Sequence, residues 1–220
     1  MNTYKSKYTR NETPIHISEN MSGKMLNIGC ISTSVVENKI CQARQAVKGS
    51  ICEKCFASAL AKRYNNSAFT ENLKENTETL TRPLADDEIP MFNYSVAMFR
   101  FESFGDTNNV TQAKNYIRIA KANANVHFAV WTKNPLHYAL ALMDTEKPSN
   151  LNIIYSSPFI NKPEHDIIDR FPFIDKVFTV YDKKTIAKEN IAINCGAKSC
   201  ANCGLCYFDK TIKVINEKLK

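Results

Sequence analysis

Apolar positions along the chain follow two periods, and stretches set by one period alternate with stretches set by the other. Residues 24–33 (KMLNIGCIST) are apolar enough for a strand, although Gly29 interrupts them. Residues 35–50 read as a connecting loop or short helix that carries Cys41 and ends at Gly49-Ser50. Within residues 52–80, Phe56, Leu60 and Tyr64, then Phe69, Leu73 and Leu80, stand at helical spacing. Asn65-Asn66 marks a break between two helices there.

Past Arg82-Pro83 and an acidic, turn-like stretch, residues 92–101 (FNYSVAMFRF) read as a strand bounded by Gly105-Asp106. Residues 111–123 form an amphipathic helix with Ala113, Tyr116, Ile117 and Ala120 on one face. Strands follow at 126–132, 151–155 and 176–181, and a helix at 135–143 begins with a tolerated proline. The tail TIKVINEKLK reads as a short helix or strand. This alternation predicts βα units on a largely parallel sheet. Five or six strands fall short of a closed eight-stranded barrel. The expected fold is therefore α/β: a partial, open βα barrel-like parallel sheet with a C-terminal cysteine-rich metal-binding loop. A polar arm (1–20), an α/β core (21–190) and a cysteine-cluster segment packed on that core (191–220) are the expected parts.

Composition adds little to the fold and more to the setting. With 220 residues, 44% hydrophobic and 23% charged, the chain suits one domain with a sizeable core. No run reaches the roughly 18 consecutive apolar residues of a membrane span, so no membrane partner is expected. The polar start (MNTYKSKYTRNETPIHISEN) lacks the apolar segment of a secretory signal, and the expected compartment is the reducing cytoplasm. There, clustered cysteines are metal ligands or redox groups more often than disulfides. The net charge of +7 comes from scattered basic residues, which fit a solvated surface or a nucleic-acid partner.

Seven of the eight cysteines sort into two groups. Cys195, Cys200, Cys203 and Cys206 form C-x4-C-x2-C-x2-C, with Gly196 and Gly204 free to curl the backbone around a metal centre. A four-thiolate zinc site accepts such ligands. Gaps this short put all four thiolates on one loop, whereas zinc ribbons draw pairs from separate knuckles, so iron–sulfur is favoured. Cys52 and Cys55 form C-x2-C at the head of a helix, whose free N–H groups and dipole favour thiolate. Cys41 lies within reach through a loop. A zinc site that adds Cys30, or a redox dithiol, is the alternative; Cys30 itself reads as a small buried hydrophobe. Three cysteines on a 4Fe–4S cluster leave one iron open to substrate or cofactor, and four close it. One or two clusters are both compatible with the spacing.

The segments SGKMLNIGCIST, Cys41, CEKCFA, FRFESFGD, WTKNP and CGAKSCANCGLCY, spread over residues 22–207, resemble a phage-encoded cysteine-rich family of the mycobacteriophage gene product eighty-eight type. That resemblance carries over no activity, and it places the protein in the host cell cytoplasm. More remotely, the chain is similar to radical S-adenosylmethionine (SAM) proteins, which use a partial βα barrel and three cysteines after the first strand. The similarity implies that Cys41, Cys52 and Cys55 hold an open cluster, and that Ser103, Phe104, Gly105 and Asp106 border the SAM amino group. It implies an auxiliary cluster for the terminal four. Here the first gap is ten residues, and Lys54 stands where that superfamily has an aromatic residue.

Arg100, Glu102 and Asp106 share one face if the strand period continues to its end. Lys133 closes the next strand, where βα proteins place groups that bind carboxylate or phosphate, and Tyr155 and Ser156-Ser157 are weaker candidates. His16, His127, His137 and His165 show no ligand spacing, and neither a phosphate-binding glycine loop nor a nucleophile elbow occurs. The expected function is a radical-SAM-like iron–sulfur protein that modifies a nucleic acid or peptide. A zinc- or cluster-stabilised protein that binds a host or phage macromolecule is the alternative.

Overall fold

The computed structural model describes residues 2–19 and 21–219; Met1, Asn20 and Lys220, at the ends of the expected arm and terminal segment, lie outside them. A small antiparallel hairpin pairs β1 (Tyr4–Lys5) with β2 (Glu12–Thr13). The main sheet holds β3 (Gly29–Ile31), β4 (Met98–Phe101), β5 (His127–Thr132), β6 (Leu151–Ser156), β7 (Lys176–Tyr181) and β8 (Val214–Lys218). Their order in space is their order in sequence, and each neighbouring pair is parallel. Between β3 and β4 come α1 (Lys39–Gln45), α2 (Phe56–Arg63) and α3 (Ala68–Leu80). The later crossovers carry α4 (Val110–Ala122), α5 (Pro135–Ala141), α6 (Ile167–Arg170), α7 (Lys183–Glu189) and α8 (Cys200–Cys203).

Crossovers of one hand, repeated in one direction, deposit their helices on one face of the sheet. Ile31, Phe101, Val130, Ile153 and Val177 accordingly share a core with Leu80 of α3, Tyr116 of α4, Tyr138 of α5 and Ile167 of α6. Phe101 lies stacked between Tyr116 (4.2 Å) and Phe128 (4.9 Å), and such pairs add about 0.5–1.5 kcal/mol each beyond burial. The opposite, inner face gathers Ala129, Ile154 and Ile215 under Met25, Ile28 and Tyr207. Residues before the first strand of the sheet and from the crossover before its last strand thus roof that face. The sheet is not closed, and β3 and β8 remain its edges.

Local chemistry sets the element ends. Asn66 takes a left-handed φ of 59°, and Ser67 with Thr70 forms a capping box that starts α3, so the expected helix break is present. At Gly29 a Cβ would stand 2.7 Å from the Phe99 ring and 2.8 Å from that of Tyr8, so the glycine inside β3 is what lets both rings reach the backbone. The expected strand over 92–101 is reduced to β4, with Phe92 held in a separate bridge to Thr9. The tail forms a strand, β8. Residues 2–19, read from their polarity as an arm, are packed: Ile15 is fully buried in the main core and Ser18 bridges Cys30. No helix among the described residues is long and apolar enough to cross a membrane.

Candidate metal and ligand cavity

A cavity of about 1260 Å³ opens over the inner face and the C-terminal ends of the strands. Its lining includes Cys41, Cys52 and Cys55 together with Cys195, Cys200 and Cys206. Cys203 is exposed and stands outside the lining. All eight cysteines are free thiols.

The first group is presented by the long β3–β4 crossover. Buried Asn38 caps α1, its Oδ1 accepting from the N–H groups of Ile40 (2.9 Å) and Cys41 (3.2 Å). Its Nδ2 donates to the carbonyl of Asp106 at 2.6 Å, which ties the helix carrying Cys41 to the end of β4. Cys52 and Cys55 sit in a turn closed by Cys55 N–H to Cys52 C=O (3.1 Å), and Cys55 is the N-cap of α2. Burial pushes the Cys41 thiol well above the ordinary range, aided by Asp106, Glu102 and Cys52 and opposed by Lys133. Cys52 is raised for the same first reason, with Lys133 and Arg44 opposing. The sulfurs therefore share one neighbourhood with two cations at its rim.

The second group rides on the β7–β8 crossover. Cys195 donates its N–H to Asn216 of β8 (3.0 Å), α8 carries Cys200 and Cys203, and Gly204 ends it in a left-handed cap. Asn152 of β6 donates to the carbonyls of Cys206 (2.8 Å) and Tyr207 (2.9 Å), which fastens the loop to the inner face. Lys24 donates to the Cys195 carbonyl (3.1 Å) and to Glu217 (2.8 Å), and lies 3.6 Å from the Cys195 sulfur. Burial, with Cys195, Cys200 and Cys203 nearby, pushes the Cys206 thiol up to about 12 against the pull of Arg100. Cys200 is raised by burial and opposed by Arg100 and Lys24. Among the described residues, no three His, Cys, Asp or Glu side chains are arranged to hold a metal ion as they stand. Sulfur is brought together by neighbourhood, then, and not by a formed polyhedron.

Arg100, Ser103, Gly105, Asp106 and Lys133 all border the same cavity. Asp106 is already engaged: it accepts from the Thr107 N–H (2.8 Å), the Thr132 hydroxyl (2.7 Å) and the Lys133 N–H (2.8 Å), so it pins the end of β5. Gly105 has φ 88°, and a Cβ there would lie 2.9 Å from Glu102 Oε2 and 3.0 Å from the Thr33 carbonyl. The expectation that residues 100, 102 and 106 share a face is corrected. Glu102 adopts φ 55°, which breaks the period. Its carboxyl turns toward the helix layer, to Tyr116 (2.6 Å), Gln112 (2.5 Å) and Thr33 (3.0 Å), whereas Arg100 lies over Trp131 on the inner face. Burial pushes Glu102 up to about 8 against the hydrogen bonds from Tyr116 and Thr33. Cys30 is fully buried, 3.5 Å from the Met21 sulfur, in keeping with its reading as a small core side chain. Sequence reasoning missed Lys24, Asn38, Asn152 and Tyr207. Only Tyr207, directly after the last cysteine, carried a positional hint.

No curated protein and no solved structure matches the chain. A family model described as gene product 88 matches residues 3–218, nearly the whole length and both cysteine groups. The chain belongs to the gene product 88 family, a family of phage gene products.

Proposed function

We propose that the protein is a radical-SAM-like iron–sulfur protein, with an open centre on Cys41, Cys52 and Cys55 and a closed one on Cys195, Cys200, Cys203 and Cys206. The observation that carries this reading is that thiols from two distant parts of the chain border one cavity at the C-terminal ends of parallel strands. Each group offers sulfur alone, with Lys133 and Arg44 beside the first and Arg100 and Lys24 beside the second to offset thiolate charge. Burial favours the protonated thiols, so loading releases protons and strengthens as pH rises. Cys41, Cys52 and Cys55 would hold such a cluster, which would supply an open iron for SAM and the electron for its reductive cleavage. Ser103, Gly105 and Lys133 border that space, and Asp106 holds the strand end that presents Lys133. A reducing host cytoplasm keeps such thiols available.

The test is iron, sulfide and zinc per chain, with a visible spectrum, on protein purified without oxygen. Brown protein with about eight irons per chain is expected, and about four would join the groups in one centre. Colourless, zinc-loaded protein that binds polyanions in a salt-sensitive way would replace this reading with the structural one. Failure of fully loaded, reduced protein to turn SAM into 5′-deoxyadenosine would remove the enzymatic form.

A further inference from the structure

Arg100 projects from the inner face of β4, borders the cavity and lays its guanidinium on the ring of Trp131, 3.9 Å from the centroid. Among the described residues it has no carboxylate partner: its polar contact runs from Nη1 to the Met25 thioether at 3.8 Å, and no ion pair includes it. The carboxylates that border the same cavity are committed elsewhere. Glu217 pairs with Lys24, Asp106 holds the end of β5, Glu102 faces Tyr116, and Glu19 accepts from Ser6 and the Lys7 N–H. Two donors at this place also lack acceptors. Arg100 Nε and the hydroxyl of Tyr207 are both buried and unpartnered, and Tyr207, only 2% exposed, borders the cavity too. Each such donor is destabilising until an acceptor arrives.

We propose that the cavity binds an organic carboxylate, seated edge-on against the Arg100 guanidinium beside Tyr207, with Trp131 as the platform that fixes the fork. A guanidinium centred over an aromatic ring is attracted through its face, and its N–H edge matches the two oxygens of a carboxylate. The volume exceeds the roughly 300–1,000 Å³ of ordinary ligand sites, which leaves room for the acid beside the thiols. Its anchors, Arg100, Trp131 and Tyr207, are not cysteines, although Arg100 also neighbours Cys200 and Cys206, so the acid would lie beside the second cysteine group whether or not that group holds metal.

Trp131 is the sole tryptophan of the chain and reports on this site directly. Its emission is followed during titration of oxygen-free full-length protein with succinate, with succinamide, inorganic phosphate and sodium chloride at matched ionic strength as the other arms. Succinate is expected to give a saturable change that succinamide and chloride do not, and phosphate to bind more weakly. Arg100→Gln is expected to weaken succinate by at least about tenfold, and Arg100→Lys, which keeps the charge and loses the fork, by less. Equal responses to succinate and chloride would overturn the proposal, and so would phosphate binding more tightly than succinate. If Arg100→Gln does not fold, Arg100→Lys decides: succinate affinity equal to the native protein's overturns the fork. Metal analysis of the same samples keeps this outcome separate from that of the iron–sulfur reading.

Discussion

The carboxyl of Glu102, 2% exposed at the end of β4, is ringed by donors from Tyr116, Gln112 and Thr33. Those hydrogen bonds favour its charge, burial opposes it more, and the group is pushed up to about 8. Between the unfolded value near 4.5 and the folded one, the native state holds the extra proton. Stability contributed by this group is therefore full below about pH 4.5, declines as pH rises through 8, and is flat beyond. Glu102→Gln is expected to flatten the pH dependence of Tm between those limits and to leave the variant more stable than the native protein at pH 9, by on the order of 1–3 kcal/mol, as thermal scans across pH would register. Three residues on, Gly105→Ala meets both a positive φ and a close carboxylate. A loss of about 1–3 kcal/mol in urea unfolding is expected. Alternation of side chains was legible up to Phe101 and no further. A left-handed non-glycine residue leaves no mark in a hydrophobic pattern, and so Arg100 and Glu102 were placed on one face.

At the scale of elements, periodicity worked where a helix or strand buries one face. It located β5, β6 and β7 and the amphipathic α4, because each contributes apolar side chains to the core. It was weaker where polar groups do the holding. Residues 1–20 were read as an arm, since Ser6, Thr9 and Thr13 are buried through hydrogen bonds and show no apolar period. Helix α1, left open between loop and helix, is the sharper case: none of its residues is buried, so it depends on the Asn38 cap. Asn38→Ala is expected to cost about 1–2 kcal/mol from the cap, with a further loss from the bond to Asp106. Faster alkylation of Cys41 than of buried Cys30, measured by mass spectrometry in variant and native protein, would localise the fraying. An unchanged Cys41 rate in a destabilised variant would place the damage elsewhere.

For the whole molecule, the two cysteine groups make opposite demands. The first rests on a crossover anchored to the sheet ends, whereas the second lies in a loop whose grip on the inner face comes from Asn152 and the small cluster around Tyr207. Metal bound there would act as a fastener, stabilising in proportion to how far its concentration exceeds the dissociation constant. On the proposed two-centre reading, Cys206→Ser is expected to lose about half the iron and to expose residues 195–207 to limited proteolysis, while Cys52→Ser lowers iron equally and spares that loop. Identical cleavage patterns for the two variants would contradict this division. Spacing alone divided seven cysteines into two groups; that Cys41, Cys52 and Cys55 border the same cavity as Cys195, Cys200 and Cys206 was not legible, because adjacency of the first and last crossovers depends on how far an open sheet curls.

Strand order carries one more consequence. Since β8 follows the other five strands in synthesis and the loop that carries Tyr207 immediately precedes it, the floor with Arg100 and Trp131, and the Met25 and Ile28 part of its cover, are made before the C-terminal part of that cover. The wall of the cavity that bears Cys195, Cys200 and Cys206 is thus completed only as the final strand docks, so any guest that touched both cysteine groups would have to be taken up after the rest of the sheet is in place.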